Sequence, residues 1–125
     1  MCEYCIATIK QEIERHKENC VMQKQLEAQL RREGEAIPAF LLQHLIDLQT
    51  KNDMVRGWLS ILSEDEAFVI HRHLLDKRTW PQLQEEHKTL WKEQGRDKRT
   101  LMRYQRNALK RIQRFIHAQA MFPVS

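Results

Sequence analysis

Between Arg96 and Arg114 the chain places Arg96, Lys98, Arg99, Arg103, Arg106, Lys110, Arg111 and Arg114 against the single acid Asp97, a local net charge of +7. Residues 1–76 carry 9 basic and 13 acidic side chains, a net of −4, so the overall charge of +4 hides a strong asymmetry. Cations spaced densely along what reads as one helix suit phosphates, because each phosphate neutralised releases condensed counterions. Arg adds discrimination between bases, since its planar fork matches the O6 and N7 acceptors of guanine. Within this run Arg96, Lys98, Arg99, Thr100, Arg103 and Arg106 fall on the first turns, where a groove-reading helix contacts bases. Thr100 suits a phosphate or a thymine methyl. Lys110, Arg111 and Arg114 lie further along and suit phosphates or solubility. The plain alternative is a solvated face with no partner.

A second set of residues has metal-ligand chemistry. Cys2-x2-Cys5 and His16-x3-Cys20 have ligand types and end spacings that zinc uses. Residues 6–15 read as continuous helix, however, which separates Cys5 from His16 by roughly 16 Å at 1.5 Å per residue. One ion does not bridge that span unless the chain folds back or a second subunit supplies ligands. These four are therefore expected to be ordinary small core residues, and no metal or other cofactor is expected. His71 and His73 flank Arg72; His73 is expected to pack beside Leu74 and His71 to be solvated. The sequence shows no Ser/His/Asp or Cys/His set and no glycine-rich phosphate loop. Glu85 and Glu86 are adjacent and point apart on a helix, so they form no acid/base pair. No enzymatic activity is expected. Trp58, Trp80 and Trp91 have the residue type for base stacking, but at helical spacing with apolar neighbours they are expected in the core.

The elements that must position the basic run are helical. The 125 residues include only 3 glycines and 3 prolines, and helix formers dominate, so the expected fold is all-α. One helix is expected from Tyr4 to Arg32, with Ile6, Ile9, Ile13, His16 and Cys20 in a heptad-like stripe, then a register shift at Val21, Met22, Leu26 and Leu30. Gly34 suits a helix stop. A second helix begins around Pro38 and carries Leu41, Leu45, Leu48, Asn52, Val55, Leu59 and Leu62 at alternating spacings of four and three. Asn52 is the polar residue in that seam, where a buried Asn fixes register. Phe40, Leu42, Ile46, Met54 and Trp58 widen the apolar face. The pattern leaves an intermolecular coiled coil and packing inside a helical bundle equally open. Ser63 and Glu66 form a capping-box pattern at the next helix start, with Val69, Ile70, Leu74 and Leu75 following. Thr79 with Pro81 in the first turn starts another helix, whose inner face is Leu83, His87, Leu90 and Trp91, and Gly95 ends it. Thr79 and Gln82 sit where backbone amides meet a phosphate. Asp97 caps the last helix, with Leu101, Tyr104, Ala108, Ile112 and Phe115 or Ile116 inward.

The run Leu62-Ser63-Glu64-Asp65-Glu66-Ala67-Phe68-Val69-Ile70, then Leu75-Asp76-Lys77-Arg78-Thr79-Trp80, then Lys98-Arg99-Thr100-Leu101-Met102-Arg103-Tyr104-Gln105-Arg106-Asn107-Ala108-Leu109-Lys110-Arg111-Ile112 resembles the helix-turn-helix of region 4 in sigma factors. It is also similar to that of phage and prophage late-gene transcriptional regulators of the ArpU and RinA type. The resemblance covers roughly residues 60–116. It implies sequence-specific binding of double-stranded DNA and transcription regulation, with Lys98, Arg99, Thr100 and Arg103 on the groove-reading turn. Leu83 and Leu101 stand further apart than the family's connector usually allows, which points to extra helical turns or a longer connector.

The expected organisation is an N-terminal, coiled-coil-like helical arm for oligomerisation or spacing over residues 1–62, and a three-helix DNA-binding helix-turn-helix over 63–125. The expected partners are double-stranded DNA, a second copy in a homo-oligomer (a dimer), and RNA polymerase. A phage DNA-packaging adaptor of small-terminase type, or a protein that binds RNA polymerase with little affinity for DNA, are the alternatives. No stretch approaches the roughly 20 apolar residues that span a bilayer, so no membrane partner is expected. Three cysteines, all in the first 20 residues, suit a reducing cytoplasm.

Overall fold

The computed structural model of the chain describes residues 4–91 and 97–121, with the side chains of Trp91 and Met121 left out. Every regular element among them is helical, and the fold is all-α. The expectations for Cys2, Trp91, Gly95 and Arg96 fall outside the described residues and side chains. The order is α1 (Ile6–Glu14), α2 (His16–Glu33), a 3-10 turn (Gly34–Ala36), α3 (Ala39–Ser60), α4 (Glu64–Val69) running into a π-helical segment (Ile70–Leu75), α5 (Trp80–Trp91) and α6 (Lys98–Met121). No helix of the described residues is long and apolar enough to cross a membrane.

The helix expected over Tyr4–Arg32 is divided at Arg15. Its two apolar stripes serve different neighbours. Ile9 and Ile13 of α1 enter the main core with α6, whereas Leu26 of α2 packs with Leu45 and Leu48 of α3. One straight helix does not present both stripes correctly, and the bend at Arg15 reconciles them. Gly34 ends α2 with φ 55°, a left-handed conformation that glycine enters without a Cβ penalty.

The heptad seam of α3 is used inside the chain. Leu45, Leu48, Asn52 and Val55 are buried against α1 and α2, and Trp58 rather than Leu59 completes the stripe near the C-terminal end. Asn52 fixes the α2–α3 register by donating from Nδ2 to Gln23 Oε1 (2.6 Å) and to the Asn19 carbonyl (3.3 Å).

The main core draws on both sides of Leu62: Ile9 and Ile13, Val55 and Trp58, Ile70, Leu74 and Leu75, and Ala108, Leu109 and Ile112. A second cluster of Phe68, Val69, Leu83 and Leu101, flanked by Trp80 and Tyr104, joins α4, α5 and α6. Leu90 is not part of it: the residue is 56 % exposed and lines a surface concavity with Phe68 and Arg72. His71 is exposed and His73 half-buried; the His73 ring stacks on Trp80 at 3.9 Å and its Nδ1–H donates to the Arg78 carbonyl. Cys5 is exposed rather than in the core, because as the α1 N-cap it sits outside the buried stripe. Cys20 is half-buried, 3.6 Å from the His16 ring.

Candidate nucleic-acid interface

Local capping sets where α6 begins. Asp97 Oδ1 accepts the Thr100 N–H at 2.8 Å. The Thr100 side chain and backbone hold the Asp97 carboxyl below its usual range, aided by the charges of Arg99 and Arg103. The acid of this basic run is thus placed where a helix N-terminus favours negative charge. The Thr100 backbone N–H is engaged by its cap, and the residue itself is half-buried.

Packing then sets which face of α6 turns outward. Leu101, Ala108, Leu109 and Ile112 are buried, which leaves Arg99, Arg103, Arg106, Lys110 and Arg114 exposed along the opposite side. Of the residues singled out from the sequence, Lys98, Arg99, Thr100, Arg103 and Arg106 line one concavity, with Met102 among them. Lys110 lies one turn beyond Arg106 on the same exposed stripe. Thr79 and Gln82 are not in that concavity. They cap α5 reciprocally: the Thr79 N–H donates to Gln82 Oε1 (2.9 Å) and the Gln82 N–H to Thr79 Oγ1 (3.4 Å). Both amides expected to meet a phosphate are therefore engaged within the fold.

Six of the described lysines and arginines are held by carboxylates. Lys17 is paired with Asp76, Lys51 with Glu12, Arg56 with Asp53, and Arg72 and Arg78 both with Glu86. Arg111, read from the sequence as part of the basic run, instead donates from Nε to the buried Glu66 at 2.9 Å. Among the described residues Lys98, Arg99, Arg103, Arg106 and Lys110 have no such carboxylate partner. Among the described residues the first turns of α6 thus carry a stripe of cations outside any ion pair.

Sequence reasoning missed Lys10. It lines, with Ile6, a groove between α1 and α6 whose other wall is Met102, Gln105, Arg106 and Leu109. Its position follows from its neighbours Ile9 and Ile13, both fully buried, which fix the rotation of α1. The helical periodicity of α1 contained that information, but which helix lies opposite did not show in the sequence.

The Glu66–Arg111 pair holds α4 to α6 and so supports the basic face from behind. Glu66 is nearly buried, and burial alone raises its carboxyl. The Ser63 N–H (3.0 Å) and the Arg111 guanidinium outweigh burial and hold it below the ordinary 4.5. A carboxyl depressed in the folded state stabilises the fold fully above its unfolded value and loses that contribution as pH falls through the folded value. The thermal midpoint is therefore expected to hold its plateau down to about pH 5 and decline below about 4.5. Glu66→Gln should show a shallower acid decline than the parent in the same calorimetric series, and an equal decline would assign the acid sensitivity to other carboxyls.

No protein-family model, no curated protein and no solved structure matches the chain.

Proposed function

We propose that this protein is a sequence-specific double-stranded-DNA-binding transcriptional regulator of the cytoplasm, sigma-region-4-like and phage or prophage encoded. In this reading α4, α5 and α6 act as a helix-turn-helix: the first turns of α6 enter the major groove, and α5 crosses the backbone. The observation that carries it is the stripe of cations on α6. Lys98, Arg99, Arg103, Arg106 and Lys110 stand close together along one face of α6 with no carboxylate partner among the described residues, and such a concentration of one sign of charge suits a polyanion. The roles follow from position. Arg99 and Arg103 read base edges, Lys98 and Arg106 approach the flanking phosphates, and Lys110 holds a phosphate further out. The protein works as a homo-oligomer, a dimer in the simplest case, because two half-sites double the contacts.

The test is fluorescence anisotropy on the chain's own upstream DNA and on random duplex, across a salt series. Tight binding to one upstream fragment that persists near physiological salt is the expected result. Weak binding, equal on both and lost with salt, would sink the regulator.

A second reading, the phage DNA-packaging adaptor, is favoured by a different observation. The α2–α3 pair leaves Val21, Met22, Phe40, Leu42 and Ile46 exposed, with Phe40 at 72 %. Since the heptad seam is spent internally, these residues are what remains for subunit contacts. Mass in solution separates the two readings: a dimer fits the regulator, a ring of many subunits the adaptor. Co-purification with RNA polymerase after nuclease treatment, with little DNA binding by the isolated chain, would favour a polymerase-binding protein instead.

A further inference from the structure

We propose that Lys10, on α1, binds a DNA backbone phosphate beside the groove-reading turn, so that α1 and α6 hold the duplex together. This rests on the duplex-binding reading above and adds to it a contact from the N-terminal part of the chain.

Two observations carry the assignment. First, the groove containing Lys10 is continuous with the basic concavity: Met102 and Arg106 line both. Second, Lys10 is half-buried in that groove and, among the described residues, has no carboxylate within ion-pair distance, so its ammonium is left for an anion there.

The geometry explains why α1 is the element involved. A helix entering a major groove about 12 Å wide is flanked by the two phosphate backbones. Whatever packs along its side is carried toward one of them. Here that neighbour is α1, held in place by Ile9 and Ile13 in the main core. A lysine there is a flexible point charge and suits a phosphate rather than a base edge. Phosphate contacts position a protein without reading sequence, so the signature of Lys10 is a uniform loss of affinity and a change in salt dependence.

The experiment is salt-series anisotropy of Lys10→Gln, Lys10→Arg, Lys24→Gln and Arg103→Ala on the specific fragment and on random duplex. Lys24 is an exposed lysine of α2 that lines neither groove, and it reports the effect of removing one charge anywhere. Lys10→Gln should weaken both duplexes by the same factor and lower the slope of log K against log salt by about one unit, with the thermal midpoint unchanged. Lys10→Arg should keep the slope, as should Lys24→Gln. A parental slope in Lys10→Gln, with Arg103→Ala still weakening the specific fragment, would overturn the Lys10 assignment and leave the duplex reading standing. Equal losses in Lys10→Gln and Lys24→Gln would reduce the effect to net charge and overturn it as well. If Arg103→Ala also binds like the parent, the duplex reading itself falls.

Discussion

Arg103→Ala is expected to weaken binding to the specific fragment by about 1–3 kcal/mol while leaving random duplex much less affected. The reason lies in how α6 is held. Asp97 fixes where the helix starts, Leu101 anchors its first turn against Phe68, Val69 and Leu83, and Arg103 stands exposed in the concavity shared with Lys98, Arg99 and Arg106. No carboxylate among the described residues lies within ion-pair distance of its guanidinium, so the bidentate fork is left for a base edge. Lys110 provides the contrast. It is exposed on the same face but about 18 Å from the start of α6 at 1.5 Å per residue, beyond the turns that reach bases. Lys110→Ala should therefore weaken specific and random duplex alike and lower the salt slope by about one unit. If Arg103→Ala and Lys110→Ala behave identically, α6 is a phosphate clamp and the site assignment fails.

The second large effect concerns stability. Trp58→Ala is expected to destabilise the fold by about 3–5 kcal/mol. Trp58 is 1 % exposed and belongs to the core that joins α1, α3, the π-helical segment and α6. Its ring meets Tyr4 edge-on, with centroids 5.6 Å apart, so truncation removes an aromatic pair as well as buried volume. For a domain of this size such a loss lowers the thermal midpoint by roughly 10–20 °C. Leu90→Ala is the matched control. Periodicity places Leu90 on an inner face, yet it is exposed, and its truncation should change the midpoint little. A large loss at Leu90 with none at Trp58 would contradict the packing described here.

The parts legible in the sequence are the local ones. Ser63 with Glu66, Thr79 with Gln82, and Asp97 with Thr100 each close a helix N-terminus within three residues, so residue type and spacing suffice to find them. The outward stripe of α6 was equally readable, since Leu101, Ala108 and Ile112 mark the inward side by period. What could not be read was partner choice. The seam of Leu45, Leu48, Asn52 and Val55 states that a face is buried, not whether another molecule or α2 buries it. Arg111 looks like its basic neighbours, and only the tertiary fold brings it to Glu66, 45 positions away. Lys10 escaped notice for the same reason, since nothing in α1 names α6 as its neighbour.

The main core has a consequence for biosynthesis. The Gln113 side chain donates to the Tyr4 carbonyl across 109 positions of sequence, and Ile9 and Ile13 are covered by residues of α6. A nascent chain therefore emerges with the apolar stripe of α1 only partly covered, by α3 and the π-helical segment, until α6 has cleared the ribosome. Contacts of such long sequence separation form late, because the closure entropy of the loop must be met first. The helix that carries the charge is also the one that completes the core. Translation that stalls before α6 leaves a chain with exposed isoleucines and no basic stripe, a product fit for proteolysis rather than for partial activity.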